Sequence, residues 1–126
     1  MKDFDGWSGQ KKRINDRRGP FCHAREVWWC ALGVNVGFEQ DGTDADFRRP
    51  VLVLRVFSAQ TALVVPLTTS ISEHLFRLSI GVIDGKEAHA LLSQVRVIDT
   101  KRLIRKVVRI EKSLFETIRK AVKGVL

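Results

Sequence analysis

The chain has 126 residues, 44% of them hydrophobic and 29% charged, enough for one domain with one core; no apolar run approaches the roughly 20 residues that span a bilayer, and two cysteines, Cys22 and Cys30, make no disulfide framework. The net charge of +8 points to an anionic partner, nucleic acid or an acidic protein, against the simpler reading of a solvated basic surface. That charge is unevenly placed: residues 1–25 hold seven basic and three acidic side chains, residues 26–100 six and nine, and residues 101–126 nine and two.

The N-terminal stretch MKDFDGWSGQKKRINDRRG lacks an apolar signal core, so a cytoplasmic, reducing setting is expected. Residues 1–24 read as a basic extension. Phe4, Trp7, Lys11 and Ile14 have near-helical spacing, which Gly6 and Gly9 weaken, and RRGPF ends any helix there. The domain proper is expected over 25–126. EVWWCALG from Glu26 reads as a strand, with Trp28 and Trp29 pointing to opposite faces, one into the core and one to the surface. PVLVLRVF and TALVVPLT are short apolar runs, the second ended or placed at an edge by Pro66. HLFRLSIGVI, AHALLSQVRVI and IRKVVRI predict three more strands, separated by DGKE, a hairpin signal, and DTKR. Leu114, Phe115, Ile118, Ala121, Val122 and Val125 then fall on one helical face, with Ser113 and Glu116 in capping-box spacing and Arg119, Lys120 and Lys123 outward. The fold class is therefore mainly β, a small barrel or strongly bent antiparallel sheet closed by a C-terminal α-helix. No dinucleotide or phosphate-loop glycine pattern is present.

Among residues that carry chemistry, His23, His74 and His89 offer no evident acid–base pair, and His74 and His89 read as strand-end residues facing water. Cys22, His23 and Cys30 lack a fourth zinc ligand at a standard spacing, so buried thiols are expected and no metal site. The carboxylates of DGTDAD read as a solvated loop. The pair Arg48–Arg49 ends that loop at the start of an apolar strand. Pro50 biases Arg49 to an extended conformation, which holds its guanidinium in a fixed direction suited to a phosphate. If 50–56 and 61–68 form a hairpin, Arg49 and Thr68 come to the same end. The competing reading pairs Arg49 with Asp44 or Asp46 and leaves Thr68 capping a turn.

At these residues the sequence resembles the MazF/PemK family of toxin endoribonucleases, from about Arg25 to the C-terminus. REVWWCALG resembles the family's opening strand, VGFEQDG…RRPVLVL its second block, VVPLTTS its third, and LLSQVRVIDTKRL its fourth, in that order and followed by a helix. The resemblance implies a small SH3-like antiparallel β-barrel of the CcdB/PemK kind, a homodimer, and a toxin silenced by a cognate antitoxin with an acidic tail. It implies cleavage of single-stranded RNA, mRNA in particular, at a short motif, without metal or other cofactor, by attack of the 2′-hydroxyl on the neighbouring phosphate. The arginine and threonine it makes catalytic fall on Arg49 and Thr68, and the RNA-binding positions on Glu39, Gln40, Arg48, Thr69, Ser70, Gln94 and Arg96. Phe38 and Ser93 stand where some members carry histidine and an acidic residue, which leaves the general base unassigned. The alternatives are a non-catalytic CcdB-like poison that binds gyrase and a nucleic-acid-binding barrel without activity; the RRP and PLTTS blocks favour the nuclease.

Overall fold

The structure is a computed structural model that describes residues 19–32, 48–69 and 77–126. The expected helix around Trp7, the acidic loop with Phe38, Glu39 and Gln40, and Ser70 and His74 all lie outside the described residues. Among the described residues, seven strands run in chain order: β1 (Glu26–Ala31), β2 (Arg48–Val56), β3 (Thr61–Thr68), β4 (Arg77–Ile83), β5 (Lys86–Leu91), β6 (Arg96–Asp99) and β7 (Leu103–Arg109), followed by α1 (Lys112–Gly124). They form one antiparallel sheet of order β4-β5-β3-β2-β1-β7, with β6 also pairing β3. The sheet curls into a half-barrel with the helix on one face.

Period-2 alternation divides the side chains between two cores. On β2, Leu52 and Leu54 join Val27, Val65, Leu67, Phe115, Ile118 and Val122, so this face packs against α1. Val51 and Val53 point the other way, to Trp28, Cys30, Ala62, Val64, Ile98 and Leu103. Both faces of β2 and β3 are thus buried, which is why these runs carry almost no polar residues. The β4–β5 hairpin turns on Asp84 and Gly85, at φ 54° and 84°, the two-residue positive-φ turn that the Asp-Gly pair predicts.

Several expectations need correction. AHALLSQVRVI is not one strand: the 3-10 turn Leu92–Gln94 breaks it, because β5 pairs with the far end of β3, at Leu67 and Thr68, and β6 with its near end, at Thr61 to Val64. Pro66 does not end β3. It lies opposite Val51, at the changeover between the β6 and β5 pairings. DTKR is a 3-10 turn, Thr100–Arg102, capped by the Asp99 side chain accepting from the Lys101 amide at 2.8 Å. Ser113 does not cap α1, whose N-cap lies two residues earlier at Glu111 and makes no side-chain cap bond. The Ser113 hydroxyl instead donates to Glu111 at 3.2 Å, and Glu116 pairs with Arg119 at 2.8 Å. Trp29 is half-buried rather than open; the exposed apolar side chains include Phe21, Phe57, Val82 and Val97. Cys22, inside the expected extension, is buried in the second core. Gly19 packs so closely on Thr100 that a Cβ there would strike its carbonyl.

Candidate active site

The β2–β3 ladder ends at Val51 opposite Pro66. Two residues further along each strand, beyond the last paired residues, come Arg49 and Thr68, at the same end of the hairpin. Arg49 also pairs with Cys30 on β1, and Thr68 with His89 on β5. The pairs Cys30–Arg49 and Thr68–His89 therefore both lie on the face of the second core, since directly opposed residues point the same way and Arg49 and Thr68 alternate in step with Val51 and Val64. Cys30 is fully buried, Thr68 is 9% exposed, and Arg49 and His89 are half-buried.

β2 starts at Arg48, so both arginines lie within the strand rather than ahead of it. Strand alternation sends their side chains to opposite faces. Arg49 shares the face of Val51 and Thr68, whereas Arg48 is exposed on the other. Thr69 is exposed just past the end of β3, and Gln94 is exposed at the end of the 3-10 turn. Arg96 opens β6 opposite Val64, which shares the Thr68 face by alternation.

Two contributors escape sequence reasoning. Arg102 donates from Nη1 to the Ala31 carbonyl at 3.2 Å, which fixes it beside the end of β1. Burial pushes the Cys30 thiol up to about 11, against the opposing pull of Arg102 and Arg96. Arg102 thus stands at the Arg49 end of the sheet, and Arg96 lies four residues back along β3, opposite Val64. His89 is not a strand-end residue facing water. It sits within β5, and its Nδ1 is buried with no hydrogen-bond partner among the described residues. Its nearest signal in the sequence was a histidine between two alanines in an apolar strand.

A second polar cluster lies at the start of β1. Glu26 is 4% exposed and accepts from the Trp28 indole at 2.9 Å and the His23 amide at 2.8 Å. His23 Nδ1 lies 3.2 Å away and Lys106 3.7 Å. Burial pushes this carboxyl up, but those hydrogen bonds outweigh it and hold Glu26 below the ordinary glutamate range. His23 is thus engaged with Glu26, and both cysteines are buried and reduced. Among the described residues no three metal-ligating side chains converge.

Half-buried Arg49, buried Thr68 and exposed Arg102 thus share one end of the sheet. A family model described as PemK-like, MazF-like toxin of type II toxin-antitoxin system matches residues 23–126. A search of curated proteins finds no match. Among solved structures, MazF from Deinococcus radiodurans is similar at 20% identity and a TM-score of 0.64, over 82% of this chain and 94% of that one. An endoribonuclease in complex with its cognate antitoxin from mycobacterial species aligns at 14% identity and a TM-score of 0.62, over 82% and 93%. A Mycobacterium tuberculosis MazF toxin aligns at 16% identity and a TM-score of 0.58, over 79% and 94%.

Proposed function

The chain belongs to the PemK-like, MazF-like toxin family of type II toxin–antitoxin systems, and from that premise we propose that it is an endoribonuclease that cuts single-stranded RNA at the Arg49–Thr68 end of the sheet. The observation that carries this reading is the β2–β3 register, which continued past Val51 and Pro66 brings Arg49 and Thr68 to the same end, with Arg102 held at Ala31 alongside. In the reaction, the ribose 2′-oxygen bonds to the adjacent phosphorus and the bond to the 5′-oxygen breaks. The products are a 2′,3′-cyclic phosphate and a 5′-hydroxyl. Negative charge grows on the nonbridging oxygens, and a guanidinium already in place stabilises it without reorganising. Thr68 hydrogen-bonds the same phosphate or orients the ribose. Arg48, Thr69, Gln94 and Arg96 hold the flanking RNA, together with Glu39, Gln40 and Ser70.

The protein works as a homodimer in this reading, and its antitoxin is an acidic segment that competes for the same cationic end. Trp29, expected at the surface, is half-buried, and the dimer rests on the family alone. Sedimentation should give twice the chain mass at micromolar concentration. The function is tested with purified protein, single-stranded RNA and excess EDTA, followed by end-group analysis. Cleavage leaving cyclic phosphate and 5′-hydroxyl ends supports it. Cleavage abolished by EDTA and restored by magnesium, or RNA binding without cleavage, overturns it.

A further inference from the structure

His89 pairs with Thr68 across the β3–β5 ladder and with Ser79 across the β4–β5 ladder. Its neighbours on β5, Ala88 and Ala90, are buried on the opposite face, in the core under α1. The imidazole therefore stands on the face of Arg49 and Thr68, one strand beyond Thr68. Side chains directly opposed in an antiparallel pair have Cβ atoms about 4.5–5.5 Å apart, so a phosphodiester held by Thr68 lies within reach of this ring. The ring's placement carries a cost. A buried polar atom without a hydrogen bond loses about 1–3 kcal/mol, and Nδ1 has no partner among the described residues. An aliphatic residue would fill the same position with no such loss. The side chain as a whole is half-buried, and of its two ring nitrogens only Nδ1 is both buried and without a partner among the described residues. A half-buried ring across the ladder from Thr68 is placed to exchange a proton with a ribose bound there.

We propose that His89 is a third catalytic residue of this site, the general base that takes the proton from the attacking 2′-hydroxyl. The inference rests on the nuclease reading above and supplies the base it leaves unassigned. The 2′-oxygen gives its proton to Nε2 as it bonds to phosphorus. The bond from phosphorus to the 5′-oxygen breaks, the departing oxygen takes a proton from water, and the imidazolium returns its proton to solvent. Arg49 neutralises charge on the phosphoryl oxygens and carries no proton in this scheme.

The experiment compares wild type, His89→Ala and His89→Gln on the same RNA, with binding followed separately on a 2′-deoxy analogue that cannot react. General-base catalysis contributes about 100- to 10,000-fold, so both variants should lose at least about 100-fold in the rate at saturating RNA. Both should bind the analogue within about twofold of wild type, as expected when only the proton transfer is removed. Added imidazole should restore part of the rate of His89→Ala, an effect that a merely structural role would not give. If His89→Ala does not fold, His89→Gln decides: a slow variant with intact RNA binding supports the role, and an active one overturns it. Wild-type rates in either variant, or loss of analogue binding in step with the rate, also overturn the assignment while leaving the nuclease reading intact. A wild-type protein that cuts no RNA overturns that reading, and the role of His89 with it.

Discussion

Cys30 stands directly across the β1–β2 ladder from Arg49, so the floor beneath the candidate site is a buried thiol rather than a charged group. Arg49 emerges next to a fully buried neighbour, and its aliphatic stem can lie on apolar surface while the guanidinium reaches the rim. The first prediction concerns that floor. Burial pushes the Cys30 thiol up to about 11, and burial, with Glu26 beside it, also raises Cys22. Both thiols stay protonated near neutral pH, and the thiolate is the reactive form. The native protein should resist alkylation by iodoacetamide, and denatured protein should take up label on both. Rapid labelling of Cys30 in the native state, read by peptide mass, would show a floor open to solvent.

Glu26 supplies the second prediction. Its carboxyl sits below the ordinary glutamate range in the folded chain, so its ionisation favours folding. That contribution is complete above the unfolded group's pKa and is lost as pH falls through the folded one. Glu26→Gln should lower stability by about 1–3 kcal/mol at neutral pH, the size expected for a buried hydrogen-bonded group. The difference from wild type should shrink in acid, below the ordinary glutamate range. Urea melts at neutral and acidic pH measure both. A difference that does not change with pH would place the effect in packing around Trp28 rather than in charge.

The helix is a lid on the first core, and Ile118 is its fully buried anchor. Ile118→Ala should cost about 2–5 kcal/mol, as large-to-small changes in a packed core do. The proposed site lies on the other face of the sheet, so RNA affinity should persist at temperatures where the variant remains folded. Thermal melts and RNA binding on the same sample check the separation. Stability loss accompanied by proportional loss of affinity in the folded state would mean that the two faces are coupled.

Much of this was legible in the sequence because local pattern and tertiary structure agree. The apolar runs at 51–54 and 62–67 became the two strands buried on both faces, the Asp84–Gly85 pair became the tight turn, and the hairpin brought Arg49 and Thr68 to one end. The rest depends on contacts between distant segments. The break between β5 and β6 arises because one long strand, β3, takes a different partner at each end, and nothing within AHALLSQVRVI signals that. His89 gains its neighbour from the same pairing, twenty-one residues after Thr68 in the chain. Arg102 belongs to the turn that reads in the sequence only as a separator between two strands, yet it bonds to Ala31. The N-cap of α1 shifted because Glu111 and Lys112 join the helix start ahead of the Ser113–Glu116 pattern.

The antitoxin gives the fourth prediction. An acidic tail that lies against Arg49, Arg96 and Arg102 should exclude RNA from them. Both ligands weaken with added salt, through screening for one and counterion release for the other, so salt dependence does not tell them apart. Titrating an acidic antitoxin peptide against a bound 2′-deoxy RNA analogue should displace the RNA competitively. A ternary complex with undiminished RNA affinity would place the antitoxin elsewhere.

The central claim is that Arg49, held by its strand at the same end of the hairpin as Thr68, stabilises the charge that builds on the phosphate. It is tested most directly by RNA cleavage rates of Arg49→Ala and Arg48→Ala beside wild type. The two arginines are adjacent and equal in charge, but alternation points them to opposite faces. Removal of one oriented donor to a developing oxyanion costs about 100- to 1,000-fold, and that loss is predicted for Arg49→Ala, with only a small effect, mainly on RNA affinity, for Arg48→Ala. Equal and small losses from both substitutions would reduce the pair to a general attraction for RNA and contradict the account.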